Sequence, residues 1–162
     1  MIAVQHRRVK VLWWQLPPSG FHALSSDGAS EDGYATGRGI IRYSLGNLVA
    51  TYHRYYGPGS NNLAEFRALH DCLRLYADLG FARCYIHVDS LLVCNRFSDT
   101  WCIPWHLQIW SSKLEALKQM MHYRIMHELN FVADFMACEG LCVKSNCTYY
   151  DNFPARVEGW TV

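Results

Sequence analysis

The clearest periodic stretch of the chain begins after Ser60. Phe66, Leu69, Leu73 and Tyr76 recur at spacings of three and four, which places them on one face of a helix. Asn61 or Asn62 is its expected cap and Gly80 its expected stop. Upstream the period shortens to that of strands. Phe21 to Asp27 reads as a short strand ending at an acidic residue, and Gly28 to Gly37 as a loop rich in Gly, Ser and Asp. Arg38 to Tyr43 and Leu48 to Tyr56 read as two strands joined by a Gly-Asn turn into an antiparallel hairpin. Cys84 to Val88, beyond the helix, is a short apolar strand, and the strand–helix–strand order favours a parallel crossover.

Asp89-Ser90 opens a short helix reaching about Phe97. Pro104 opens a longer one, with Leu107, Trp110, Leu114, Leu117 and Met121 as its stripe. Tyr123 to Met126 is a last strand, and Asn130 to Cys138 a final helix stopped by Gly140. The pattern predicts an α/β fold: a mixed five-stranded sheet, three antiparallel strands then two parallel, flanked by helices. Residues 1–19 form an approach segment broken by Pro17-Pro18, residues 20–147 the domain, and residues 148–162 a tail.

Composition narrows the chemistry. With 51% hydrophobic and 18% charged residues, 162 residues suffice for one domain with a full core. A net charge of +1 gives no global attraction to nucleic acid, so any such site is a local patch. The most basic run, His6-Arg7-Arg8-Val9-Lys10, reads as a solvated leader, with a phosphate-binding arm as the alternative. Seven cysteines cannot all pair with one another and show no CxxC spacing, so they are expected as reduced, mostly buried thiols of an intracellular protein. No signal pattern and no membrane-spanning run is present, and a monomer is expected.

Four carboxylates stand at element ends. Asp27 and Asp89 close two strands, while Glu65 and Asp134 open two helices. Singly, each reads equally well as a turn or cap residue. If the two strands are parallel neighbours, their acids emerge on one sheet edge, where α/β folds gather ligands. Clustered carboxylates either take up protons or bind cations, and oxygen-only ligands favour magnesium or manganese. A pair of such ions suits in-line displacement at phosphorus.

Ser26-Asp27-Gly28-Ala29-Ser30, Ser60-Asn61-Asn62-Leu63-Ala64-Glu65, Val88-Asp89-Ser90 and Glu128 to Asp134 together resemble ribonuclease H. The likeness is closest to the plant ribonuclease H-like domain of non-LTR retrotransposon reverse transcriptases, and runs from about Val9 to Pro154. It implies an endonuclease that cuts the RNA strand of RNA–DNA hybrids with two magnesium ions, leaving a 3′-hydroxyl and a 5′-phosphate. Manganese is a possible substitute. The implied catalytic and metal-binding acids are Asp27, Glu65, Asp89 and Asp134. Gly28, Asn61, Asn62 and Ser90 are the implied contacts to the nucleic acid, where an Asn amide can both donate to and accept from 2′-hydroxyls. The likeness also implies derivation from a larger reverse-transcriptase polyprotein.

Two departures matter. The family's His-Val-x-Arg-Glu-x-Asn stretch here reads Arg124-Ile125-Met126-His127-Glu128-Leu129-Asn130, with arginine at the histidine position. His127 is therefore a candidate proton shuttle as well as a candidate structural residue. Glu31-Asp32 adds negative charge near the expected phosphate-binding edge. Two other readings stay open: a domesticated domain that binds nucleic acid without cutting, and an interaction domain whose acids only cap helices. Of the six tryptophans, Trp101 and Trp105 are the candidates for a substrate-facing ring.

Overall fold

The computed structural model describes residues 16–97, 102–127 and 144–150. Asp134 and the expected final helix, His6 to Lys10, and Trp101 lie outside the described residues. Strands β1 (His22–Glu31), β2 (Tyr34–Arg42) and β3 (Leu48–Pro58) form an antiparallel meander. Helix α1 (Asn61–Asp78) leads to β4 (Arg83–Val88), which returns parallel to β1. Helix α2 (Leu91–Phe97), a 3-10 turn (Trp105–Leu107) and α3 (Gln108–Lys118) precede β5 (His122–His127), parallel to β4. Among the described residues the sheet has six strands rather than the five expected, in the order β5-β4-β1-β2-β3-β6. The additional strand, β6 (Cys147–Tyr149), pairs antiparallel with the edge of β3. Three residues are too few to show a period. Contacts from Arg54 hold them, its guanidinium donating to the Cys147 carbonyl and the Thr148 hydroxyl, each at 2.6 Å.

One apolar row explains the core. Ala50, Ile41, Leu24, Ile86 and Ile125 are successive register partners across β3, β2, β1, β4 and β5. The helical stripe predicted for α1, Phe66, Leu69, Leu73 and Tyr76, is fully buried in the same cluster. Each such side chain stabilises the fold by roughly 1.5–3 kcal/mol through burial. Tyr52 lies over Gly39, where a Cβ would meet its ring at 2.3 Å, and its hydroxyl donates to the Ala68 carbonyl of α1. Leu107 and Leu114 of the second predicted stripe are also buried, and Leu117 packs against the cluster.

The expected loop at 28–37 is instead the tip of a long hairpin. β1 continues through Asp27 to Glu31, and Asp32-Gly33 alone makes the turn. Both turn residues have positive φ, +51° and +79°, as a two-residue turn matched to strand twist requires. Gly28 has no side chain because α1 packs on it, which makes the stretch loop-like in sequence.

Candidate metal centre

Asp27 lies within β1, not at its end. Asp89 follows Val88, the last residue of β4. Ser25 is the register partner of His87, so Asp27 and Asp89 each stand two residues beyond a paired position on neighbouring parallel strands. Glu65 comes from the start of α1. A Cβ on Gly28 would lie 2.2 Å from both the Ala64 carbonyl carbon and the Glu65 nitrogen, so only glycine lets α1 approach β1 this closely. The hairpin then secures the helix start. The Ser30 hydroxyl donates to the Gly59 carbonyl at 2.7 Å, the Ser30 amide to Asn61 Oδ1 at 3.2 Å, and the Gly59 amide to the Gly33 carbonyl at 2.8 Å.

Asp27, Glu65 and Asp89 each bring a carboxylate oxygen to within 4.8 Å of the others. Asp27 is 4% exposed and Glu65 7%, while Asp89 is half-buried. Three like charges from three separate elements do not converge in a low-dielectric setting for packing alone. The donor set is all oxygen, which fits a hard divalent cation such as magnesium or manganese. The fourth predicted acid, Asp134, lies outside the described residues.

The capping explanations of Glu65 and Asp89 do not hold in this structure, while that of Asp134 lies outside the described residues. Ser60 caps α1, accepting from the Leu63 amide at 3.4 Å, so neither Asn61 nor Asn62 is the cap and Glu65 is too far along for a capping box. Ser90 caps α2 in the same way, accepting from the Val93 amide at 3.4 Å, and Asp89 is not the cap. Asn61 spans from α1 to β1, and Asn62 is exposed beside it. His127 ends β5 opposite Val88, one residue along the chain from Asp89. Arg124 is exposed on the same strand. Trp105 is exposed, whereas Trp110 sits partly buried between Arg67 and Lys113.

One residue near the cluster was not singled out from the sequence. Arg38 of β2 is the direct register partner of Asp27 and is 3% exposed. The available signal was the alternation Arg38-Ile40-Arg42, which sets two arginines on one face of a strand otherwise built for burial.

Comparison with known proteins agrees with this geometry. A family model described as reverse transcriptase-like matches residues 25–139. The uncharacterized protein YpeP of Bacillus subtilis (strain 168) is 32% identical over 113 residues, 65% of this chain and 49% of that protein. The chain thus spans about half the length of this curated relative. Among solved structures, RNase H1 from the halophilic archaeon Halobacterium salinarum superimposes with a TM-score of 0.71 at 28% identity, covering 76% of this chain and 98% of that one. The N-terminal RNase H domain of Rv2228c from Mycobacterium tuberculosis gives 0.69 at 22% identity, covering 73% and 96%. LC11-RNase H1, isolated from compost and solved with an RNA/DNA hybrid, gives 0.65 at 20% identity, covering 73% and 94%.

Proposed function

The chain belongs to the reverse transcriptase-like family and has the ribonuclease H fold, and on that premise we propose that it is a divalent-metal-dependent endonuclease that hydrolyses the RNA strand of RNA–DNA hybrids. The observation that carries this reading is the convergence of Asp27, Glu65 and Asp89 within 4.8 Å. In this reading those acids, with Asp134, hold two magnesium ions. When bound, the ions supply Lewis-acid charge at the phosphate and a water of lowered pKa.

The chain's own residues arrange the rest. Buried Asp27 and Glu65 keep their carboxylates from solvating freely, so their donor oxygens stay gathered. Gly28 keeps α1 against β1, so that Glu65 stands beside Asp27, and it is a further contact to the nucleic acid in this reading. Asn61, its Oδ1 fixed by the Ser30 amide, has its amide nitrogen left to donate to a 2′-hydroxyl, which marks the RNA strand. Asn62 and Ser90 are the further contacts of this reading, and His127 the candidate proton carrier near Asp89. The hybrid is the partner, and the protein acts as a monomer inside the cell. Among the described residues no helix is long and apolar enough to cross a membrane.

The test compares a labelled RNA–DNA hybrid with RNA and DNA duplexes of the same sequence, each with magnesium. Cutting confined to the RNA strand of the hybrid, with 3′-hydroxyl ends, is the expected result. Hybrid binding without cutting, in magnesium and in manganese, would replace this reading with a binding domain.

A further inference from the structure

We infer that Arg38 is the resident counter-cation of the acidic cluster, holding Asp27 in the metal-free protein and competing there with divalent cations. The inference rests on the reading of Asp27, Glu65 and Asp89 as a metal site. Arg38 and Asp27 are direct cross-strand partners, so their side chains leave the sheet on the same face with Cβ atoms roughly 5 Å apart. Both are almost fully buried, at 3% and 4% exposure. Charged side chains are rarely buried so deeply without a compensating charge.

The neighbours of Arg38 fix its direction. A Cβ on Gly37 would meet the Tyr56 ring at 2.4–2.8 Å, and one on Gly39 the Tyr52 ring at 2.3 Å. Those rings face α1, since the Tyr52 hydroxyl donates to Ala68 and the Tyr56 hydroxyl to Asp71 at 2.9 Å. By strand alternation Arg38 faces away from α1, as Asp27 does opposite it. Its partner on β3 is His53, whose Nε2 lies 3.1 Å from the Ser145 hydroxyl oxygen. Among the described residues the register therefore gives Arg38 one directly opposite acid, Asp27.

A guanidinium cannot lose its charge in a protein. It offsets one of three clustered negative charges before any metal arrives. A divalent cation then meets a less negative site than the donor set alone would offer, and binds more weakly.

Unfolding of the full chain in chelator, in a double-mutant cycle, tests the first half. Arg38→Leu is expected to raise the unfolding equilibrium constant about tenfold or more. Adding Asp27→Asn to that variant is expected to recover much of the loss, and Arg38→Lys, which keeps the charge, to stay within about threefold of wild type. An Arg38→Leu chain that folds only when Asp27→Asn is added supports the inference equally. Manganese titration tests the second half, with about tenfold tighter binding expected in Arg38→Leu than in wild type. Additive losses in chelator overturn the inference, as does an Arg38→Leu chain that stays unfolded with Asp27→Asn. Equal manganese affinity in two folded proteins that bind it also overturns it. If neither binds manganese while the coupling in chelator persists, the counter-cation stands and the nuclease reading falls.

Discussion

Gly28 and Glu65 are in backbone contact: a β-carbon on Gly28 would stand 2.2 Å from the Glu65 nitrogen. The glycine beside one acid thus sets how near a second can come. Gly28→Ala must push α1 off β1. It is expected to destabilise the fold by about 1–3 kcal/mol, as overpacking does, and to lower metal affinity as well. Thermal unfolding with and without manganese measures both. A variant with wild-type stability and wild-type metal response would show that the helix yields without cost.

Asn61 separates a structural from a recognition role. Its Oδ1 accepts from the Ser30 amide at 3.2 Å. Asn61→Ala loses that bond, at about 0.5–1.5 kcal/mol. Asn61→Asp keeps the acceptor but loses the amide donor. The expected outcome is near-wild-type stability with weakened hybrid binding, read by unfolding and by fluorescence anisotropy. By contrast, Ser60→Ala removes the cap of α1 and costs about 1 kcal/mol with hybrid binding unchanged.

His22 gives the fold a pH dependence. Its ring stacks on Phe81 at 4.1 Å between centroids, and its Nδ1 lies 3.0 Å from the Tyr76 hydroxyl, which donates to the Arg83 carbonyl. Burial holds its pKa below the ordinary 6.5, with the hydrogen bond to the Arg83 backbone acting the other way. As pH falls below 6.5 the unfolded chain takes up the proton first, so stability declines until the folded pKa is passed. His22→Gln should flatten the fall in unfolding free energy between pH 7 and 5. An unchanged slope would remove His22 as its source.

The thiols divide by burial. Cys72, Cys84 and Cys94 are buried, and burial pushes Cys84 up to about 12 and Cys94 to about 11, with Cys72 higher still. Cys102 is exposed. Iodoacetamide at pH 7.5 should modify Cys102 while sparing those three until the chain unfolds, as peptide mass mapping would show. Early modification of Cys72 would contradict the core packing.

The sequence was legible where one physical signal dominated. The α1 stripe of Phe66, Leu69, Leu73 and Tyr76 and the hairpin around Gly46 needed only periodicity and turn chemistry. The likeness of four short motifs then led to Asp27, Glu65 and Asp89, which the fold brings together. What was hidden depended on neighbours distant in sequence. Gly28 is glycine because α1 lies on it, and the small residues around it read as a loop. Ser60 and Ser90 took the caps because the chain turns into each helix at the serine, leaving Asn61 and Asp89 for other contacts. Arg38 is ordinary in sequence and notable only opposite Asp27.

The central claim is tested most directly by the rate at which the RNA strand of a labelled hybrid is cut by wild type, Asp27→Asn and Asp89→Asn, in magnesium and in chelator. The account predicts cutting by wild type in magnesium alone. It predicts that each substitution lowers the rate more than about a hundredfold, beyond what loss of an outer-shell partner costs, with folding intact. Cutting that persists in chelator, or in a folded Asp27→Asn protein, would contradict it.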